Sequence, residues 1–255
     1  MTSRRARRGA AILMLCLSLP VGLSLAGCGG LAGPVHRSAA AAGPAKGPGR
    51  SVPPVVMFLG DSYTVGERGA VPETTYAPAT ARLLGWQVIV GGRAGTGFVA
   101  RGGQAHREAF LELFESQLGW RPAPDLLIVS GGHNDWRFPA TRVAVAAHIV
   151  LERARQRWPG TRLVLMGPLW GNGNPPASAL AIRDGLKALA TQLGIPFIDP
   201  IGEQWITGSR LSGPGNAHQF IRGDGTHPNQ AGHRYVATRL VGDLTRLNLT
   251  RPARG

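Results

Sequence analysis

The chain predicts an α/β fold: a three-layer α/β/α sandwich around a five-stranded parallel sheet. Three observations carry that expectation. Apolar, β-rich runs recur at Val55 to Leu59, Trp86 to Val90, Leu126 to Val129, Leu163 to Met166 and Pro196 to Ile198, spaced by about 30 to 40 residues as βαβ units require. Stretches of helical period lie between them. The longer loops, rich in Gly and Asn, all follow strands, at Gly91 to Gly103, Gly131 to Pro139, Gly167 to Pro176 and Ile201 to Gly225; ligands of open parallel sheets bind at that edge.

The first run, Val55-Val56-Met57-Phe58-Leu59, ends in Gly60-Asp61-Ser62-Tyr63. Unbroken apolar β-formers predict a strand buried on both faces, and the Gly-Asp-Ser turn then presents a serine at the sheet's edge. A lone serine there would equally serve as a helix cap. Further along, Phe110, Leu111, Phe114 and Leu118 share one helical face, as do Val143, Ala147, Val150, Ala154 and Trp158, and again Ile182, Leu186, Leu189 and Leu193. Each set reads as core packing. Asn229 to Leu247 is expected to close the fold as a helix, with Pro228 in its first turn. Right-handed crossovers over a parallel sheet then favour a flavodoxin-like strand order.

At 255 residues and 43% hydrophobic content the chain suits one large domain with a tail. The formal charge is +14 and is carried almost entirely by arginine. Those arginines are scattered and form no basic run interleaved with aromatics, so nucleic acid is not an expected partner; an anionic envelope polymer or lipid head group suits the surface better. Residues 1–27 read as a targeting segment: Arg4, Arg5, Arg7 and Arg8 precede an apolar stretch from Ala11 to Leu25, too short for a membrane span of about 20 residues. Leu25-Ala26-Gly27-Cys28 resembles the lipobox of bacterial lipoproteins. That resemblance implies lipidation of Cys28, cleavage after Gly27 and an extracytoplasmic protein anchored to the membrane, with an ordinary secretory signal as the rival reading. Cys16 lies in the segment to be removed, so no intramolecular disulfide is expected. Residues 28–53 form a Gly/Ala/Pro linker, 54–247 the folded domain and 248–255 a tail.

Four short motifs then follow in order: Gly60-Asp61-Ser62-Tyr63, Gly92-Arg93-Ala94-Gly95-Thr96-Gly97, Gly132-His133-Asn134-Asp135 and Asp224-Gly225-Thr226-His227-Pro228. A serine hydroxyl is a weak nucleophile and needs a base; an imidazole supplies one at neutral pH, and a carboxylate three residues away on the same turn can hold its tautomer. Ser62, His227 and Asp224 fit those roles. On these motifs the chain resembles the SGNH hydrolases, the superfamily of GDSL-type esterases and lipases, over about Val55 to Leu247. The resemblance implies an SGNH hydrolase fold and a serine esterase with Ser62, Asp224 and His227 as catalytic residues. It assigns the oxyanion hole to the amides of Ser62 and Gly95 and the side-chain amide of Asn134. Among Gly91, Gly92, Gly95 and Gly97, the choice falls on Gly95 because family members often place a small or polar residue next, as Thr96 is here.

No metal and no cofactor are expected. Position 64 is Thr, so Ser62 lacks the Gly-x-Ser-x-Gly elbow of α/β-hydrolases; the Gly92 to Gly97 stretch fails the spacing of a dinucleotide loop. His106, His148, His218 and His233 lack metal-ligand spacing and read as surface or packing histidines. Trp136, Trp170 and Trp205 are candidates to line a pocket or to pack. Carbohydrate O-deacetylation, acyl transfer and non-catalytic binding remain open beside hydrolysis of short-chain or lipid esters.

Overall fold

The computed structural model describes residues 52–67, 71–103, 108–211 and 213–254. Cys28, the expected leader and nearly all of the expected linker lie outside the described residues, as does His106. Five strands form a single sheet: β1 (Val55–Gly60), β2 (Gln87–Gly92), β3 (Leu126–Ser130), β4 (Arg162–Met166) and β5 (Phe197–Ile198). They pair in parallel in the order β2-β1-β3-β4-β5. This is the flavodoxin-like order expected. The helices are α1 (Ser62–Val65), α2 (Tyr76–Leu84), α3 (Phe110–Leu113), α4 (Ala140–Arg157), α5 (Ala177–Leu193), α6 (Ala217–Phe220) and α7 (Gln230–Arg246), with a π-helical turn at Phe114–Leu118.

The three layers follow from strand alternation. Met57, Leu59, Leu127, Val129, Leu163 and Leu165 point to one face and pack with α3, α4 and α5. Val56, Phe58, Leu126, Ile128, Val164 and Met166 point to the other and pack with α2 and α7. Both faces are covered, so the central strands need apolar side chains at every position. Burying each large apolar side chain stabilises by about 1.5–3 kcal/mol.

Several boundaries differ from the sequence reading. β2 runs on through Gly91 and Gly92, because both pair with β1 residues, Leu59 and Gly60. Pro228 is not in the first turn of α7: Asn229 is the N-cap, its Oδ1 accepting the Gly232 amide at 2.8 Å, so Pro228 stands just outside the helix. The α3 segment is a single α-turn that widens into the π-turn. Among the described residues no helix is long and apolar enough to cross a membrane.

Register is what places the site. Gly60 lies beside Gly92 on one side and Ser130 on the other, and Ser130 lies beside Met166. The loops that leave these strands therefore start at one common edge.

Candidate active site

Asp61 caps the single turn α1, its Oδ1 accepting the Tyr63 amide at 3.0 Å. This brings Ser62 to the first helical position, 5% exposed. The turn is tight: a Cβ on Gly60 would lie 2.1 Å from Thr64 Oγ1, and one on Gly92, at φ +129°, 1.8 Å from the Gly60 carbonyl oxygen. Only glycine tolerates that approach and that φ.

From the far end of the chain, Asp224 and His227 arrive on a turn clipped at its base. The Arg222 amide donates to the His227 carbonyl and the Asn229 amide to that of Phe220, both at 2.8 Å. Within the turn Asp224 Oδ1 accepts the amides of Thr226 and His227, both at 2.9 Å. Its Oδ2 lies 2.9 Å from His227 Nδ1, and His227 Nε2 lies 2.9 Å from Ser62 Oγ. Partial burial works against ionisation of Asp224, but the two amides and His227 outweigh it and hold the carboxyl below its ordinary range. With Nδ1–H donated to that carboxylate, Nε2 is left as the acceptor for the serine hydroxyl.

Asn134 donates through Nδ2 to the Thr96 carbonyl at 2.8 Å and, more weakly, to Asp61 Oδ2 at 3.3 Å. Burial, with Asp135 nearby, pushes the Asp61 carboxyl up to about 7. The glycines at the end of β2 and in the loop after it separate by partner. The Gly92 amide donates to Gln117 Oε1 and the Gly97 amide to the Ala100 carbonyl. Gly95, at φ +78° on the loop tip, donates its amide to no described residue. The structure thus brings Ser62, Asn134, Asp224 and His227 to one edge, with Gly95 on the loop that Asn134 holds.

Several contributors escaped the sequence reading. Asp135 is fully buried and accepts three successive amides, Phe98 and Val99 at 2.9 Å and Ala100 at 2.8 Å. It shapes the loop that begins at Gly92, and the Asp after Asn in Gly132-His133-Asn134-Asp135 was its only signal. Tyr63 donates its hydroxyl to the Thr226 carbonyl at 2.8 Å, and its ring packs against those of His133 and His227. Glu67 sits 3.7 Å from His227 Nδ1 while paired with Arg222 at 2.8 Å. Ligand-type atoms of Glu67, Asp224 and His227 lie within 4.8 Å of one another; the Nδ1 proton on Asp224 and the arginine on Glu67 account for that cluster.

His133, held neutral by burial with its pKa down to about 4, faces the Leu169 carbonyl through Nδ1 at 3.1 Å and packs on Trp170. Of the tryptophans, Trp205 is buried, Trp136 exposed and Trp170 half-buried. Among the other histidines, His218 is exposed, His148 half-buried and His233 buried.

A Ser at the end of the first strand, an Asn behind the third and a His on a C-terminal turn, all over a parallel sheet, define an arrangement, and comparison with known proteins shows the family. The chain belongs to the GDSL-like Lipase/Acylhydrolase family, whose defining pattern matches residues 58–235. It is a hydrolase of that family. A relative described as GDSL lipase Rv0518, from Mycobacterium tuberculosis, is 30% identical over 197 residues, spanning 73% of this chain and 79% of that protein. Solved structures share the fold. An aryl esterase from M. smegmatis superposes with a TM-score of 0.58 at 18% identity, over 76% of this chain and 99% of that one. A family two carbohydrate esterase from Clostridium thermocellum, in complex with cellohexaose, does so with 0.61 at 17% identity, over 78% and 66%.

Proposed function

We propose that the protein is an extracytoplasmic serine esterase that cleaves carboxylic esters through an acyl-enzyme. The reading rests on one observation: a continuous relay from Ser62 Oγ through His227 Nε2 and Nδ1 to Asp224, with both links 2.9 Å. Ser62 attacks the acyl carbonyl as His227 takes its proton. His227 then returns that proton to the leaving alcohol, and Asp224 keeps the imidazole in the required tautomer. Water, activated by the same histidine, releases the acid.

The tetrahedral oxyanion is met by the amides of Ser62 and Gly95 and by Asn134 Nδ2, whose 3.3 Å contact with Asp61 is weak enough to yield to it. Each such donor contributes about 3 kcal/mol of barrier lowering. No step calls for a metal or cofactor. Ser62→Ala is expected to keep the fold, measured by circular dichroism, and to lower hydrolysis of a short-chain aryl ester by about 10⁴-fold or more; wild-type-like turnover in that variant would refute the assignment.

Attachment to the membrane through Cys28 is part of the same proposal. Metabolic labelling with a radioactive fatty acid should mark the wild-type protein and not Cys28→Ala, and equal labelling of both would exclude the anchor. Acyl preference is read from a panel of esters running from acetyl to long-chain acyl groups, with an added alcohol acceptor to detect acyl transfer.

A further inference from the structure

The imidazole of His227 meets carboxylates from two separate segments. Asp224 comes from the histidine's own turn, with Oδ2 at 2.9 Å from Nδ1. Glu67 comes from the segment of Ser62. Gly66, at φ +88°, ends α1 with its amide donated to the Ser62 carbonyl at 3.0 Å, and Glu67 follows directly. Its Oε2 lies 3.7 Å from His227 Nδ1. That separation is too long for a hydrogen bond and short enough for charge to act.

One residue fixes both ends of this contact. The Arg222 amide donates to the His227 carbonyl at 2.8 Å, and its guanidinium donates through Nη1 to Glu67 Oε2, also at 2.8 Å. Among the described residues, the other titratable groups around the ring are Tyr63, His133, His233 and, on the Ser62 turn, Asp61. Burial raises the Tyr63 hydroxyl well above its ordinary range and lowers His133 and His233 to about 4, so all three are neutral near pH 7. Asp61, pushed up to about 7, is common to every variant compared below.

When Nε2 takes the Ser62 proton the ring becomes a cation, and carboxylates at its Nδ1 edge stabilise it. Asp224 lies on an exposed turn, where water and salt screen its hold. Arg222 opposes the cation. Glu67, bonded to that guanidinium and facing Nδ1, offsets it. We infer that Glu67 is a positioning residue for the reaction: it holds the His227 imidazolium by charge together with Asp224, and it takes the Nδ1–H itself when Asp224 is replaced by a residue that does not. The inference rests on the esterase reading for the step it assists and on the Glu67, Arg222 and His227 contacts for its geometry.

The test uses the full chain and an aryl acetate. Glu67→Gln removes the charge and keeps the shape; it should lower kcat by about threefold and leave KM within about twofold. In Asp224→Asn, where Glu67 is the remaining carboxylate at Nδ1, the same change should cost a further factor of about ten. A second readout needs no turnover: the His227 Cε1–H resonance followed against pH in the free protein. Its titration midpoint should move to lower pH in Glu67→Gln and to higher pH in Arg222→Gln, which frees Glu67 and removes the opposing cation. A turn that had merely loosened would not move the two in opposite directions. An unchanged kcat, a loss confined to KM, equal factors in both backgrounds, or midpoints that stay still or move together would each overturn the role of Glu67, while Ser62-dependent turnover would leave the esterase reading standing. If turnover proves independent of Ser62, the esterase reading fails and the titration alone decides whether Glu67 acts on the ring.

Discussion

Asp135 and Asp224 are both carboxylates that accept successive backbone amides, yet they belong to opposite parts of the site. Asp135 is fully buried and organises the loop that follows β2, with a Cβ on Gly97 only 2.3 Å from its Oδ2. Asp224 lies on a surface turn, its side chain 35% exposed, and the His227 side chain beside it is 18% exposed. One half of the site is interior packing; the other is a clipped turn laid against it. The difference teaches that stability and activity should separate by half: damage near Asp135 unfolds, whereas damage near Asp224 disarms.

The largest effect should come from Asp224→Asn. Its Oδ1 can still accept the two amides, but the amide nitrogen cannot accept the imidazole Nδ1–H, and activity should fall by about 10³ to 10⁴-fold. Urea melts should move by less than about 1 kcal/mol. A large loss of stability with residual activity intact would break the comparison.

Next comes Asp135→Ala, which strands two buried N–H groups, of Phe98 and Ala100, at about 1–3 kcal/mol each, and a half-buried third, of Val99. A loss of at least about 3 kcal/mol is expected in denaturant unfolding, with Asp135→Asn between the two. A change under about 1 kcal/mol would show that the loop does not depend on this carboxylate.

The smallest effect concerns pH. Asp61, pushed up to about 7 by burial, keeps a proton in the folded protein that the unfolded chain releases near its ordinary value. Its contribution to stability is therefore present in acid and lost as pH rises toward 7. His133 and His233, lowered to about 4 by burial, act in the opposite sense: the unfolded chain gains protons below about 6.5 while the folded one refuses them until about 4. Between pH 5 and 7, Asp61→Asn should make unfolding free energy climb more steeply with pH, and His233→Gln should make it climb less. Melts with identical slopes in all three proteins would remove this account.

Much of the fold was legible because β1, β3 and β4 are buried on both faces and so read as unbroken apolar runs. Helix α2 was not legible: Tyr76–Leu84 carries Pro78 in its first turn, tolerated there, and its buried face is built largely from Ala77, Ala79, Thr80 and Ala81, too weak a contrast to show a period. In the site, Ser62, Asn134, Asp224 and His227 stood out because each sits in a short motif with a chemical reason. The contacts of Tyr63, Glu67 and Arg222 did not, since they exist only once distant segments meet. Trp205 illustrates the limit. Its place in a long loop left lining a pocket and packing equally open; its indole is buried and its Nε1–H donates to Glu203 Oε2 at 3.0 Å.

The hydroxyl of Tyr63, next to Ser62 in the chain, holds a carbonyl 163 residues away, so Ser62 and His227 share one strut and are aligned only when these distant segments meet. Contacts of such long separation form slowly, after local structure is already in place. Turnover regained during refolding would accordingly clock the docking of α7 and its turn, well after circular dichroism has ceased to change.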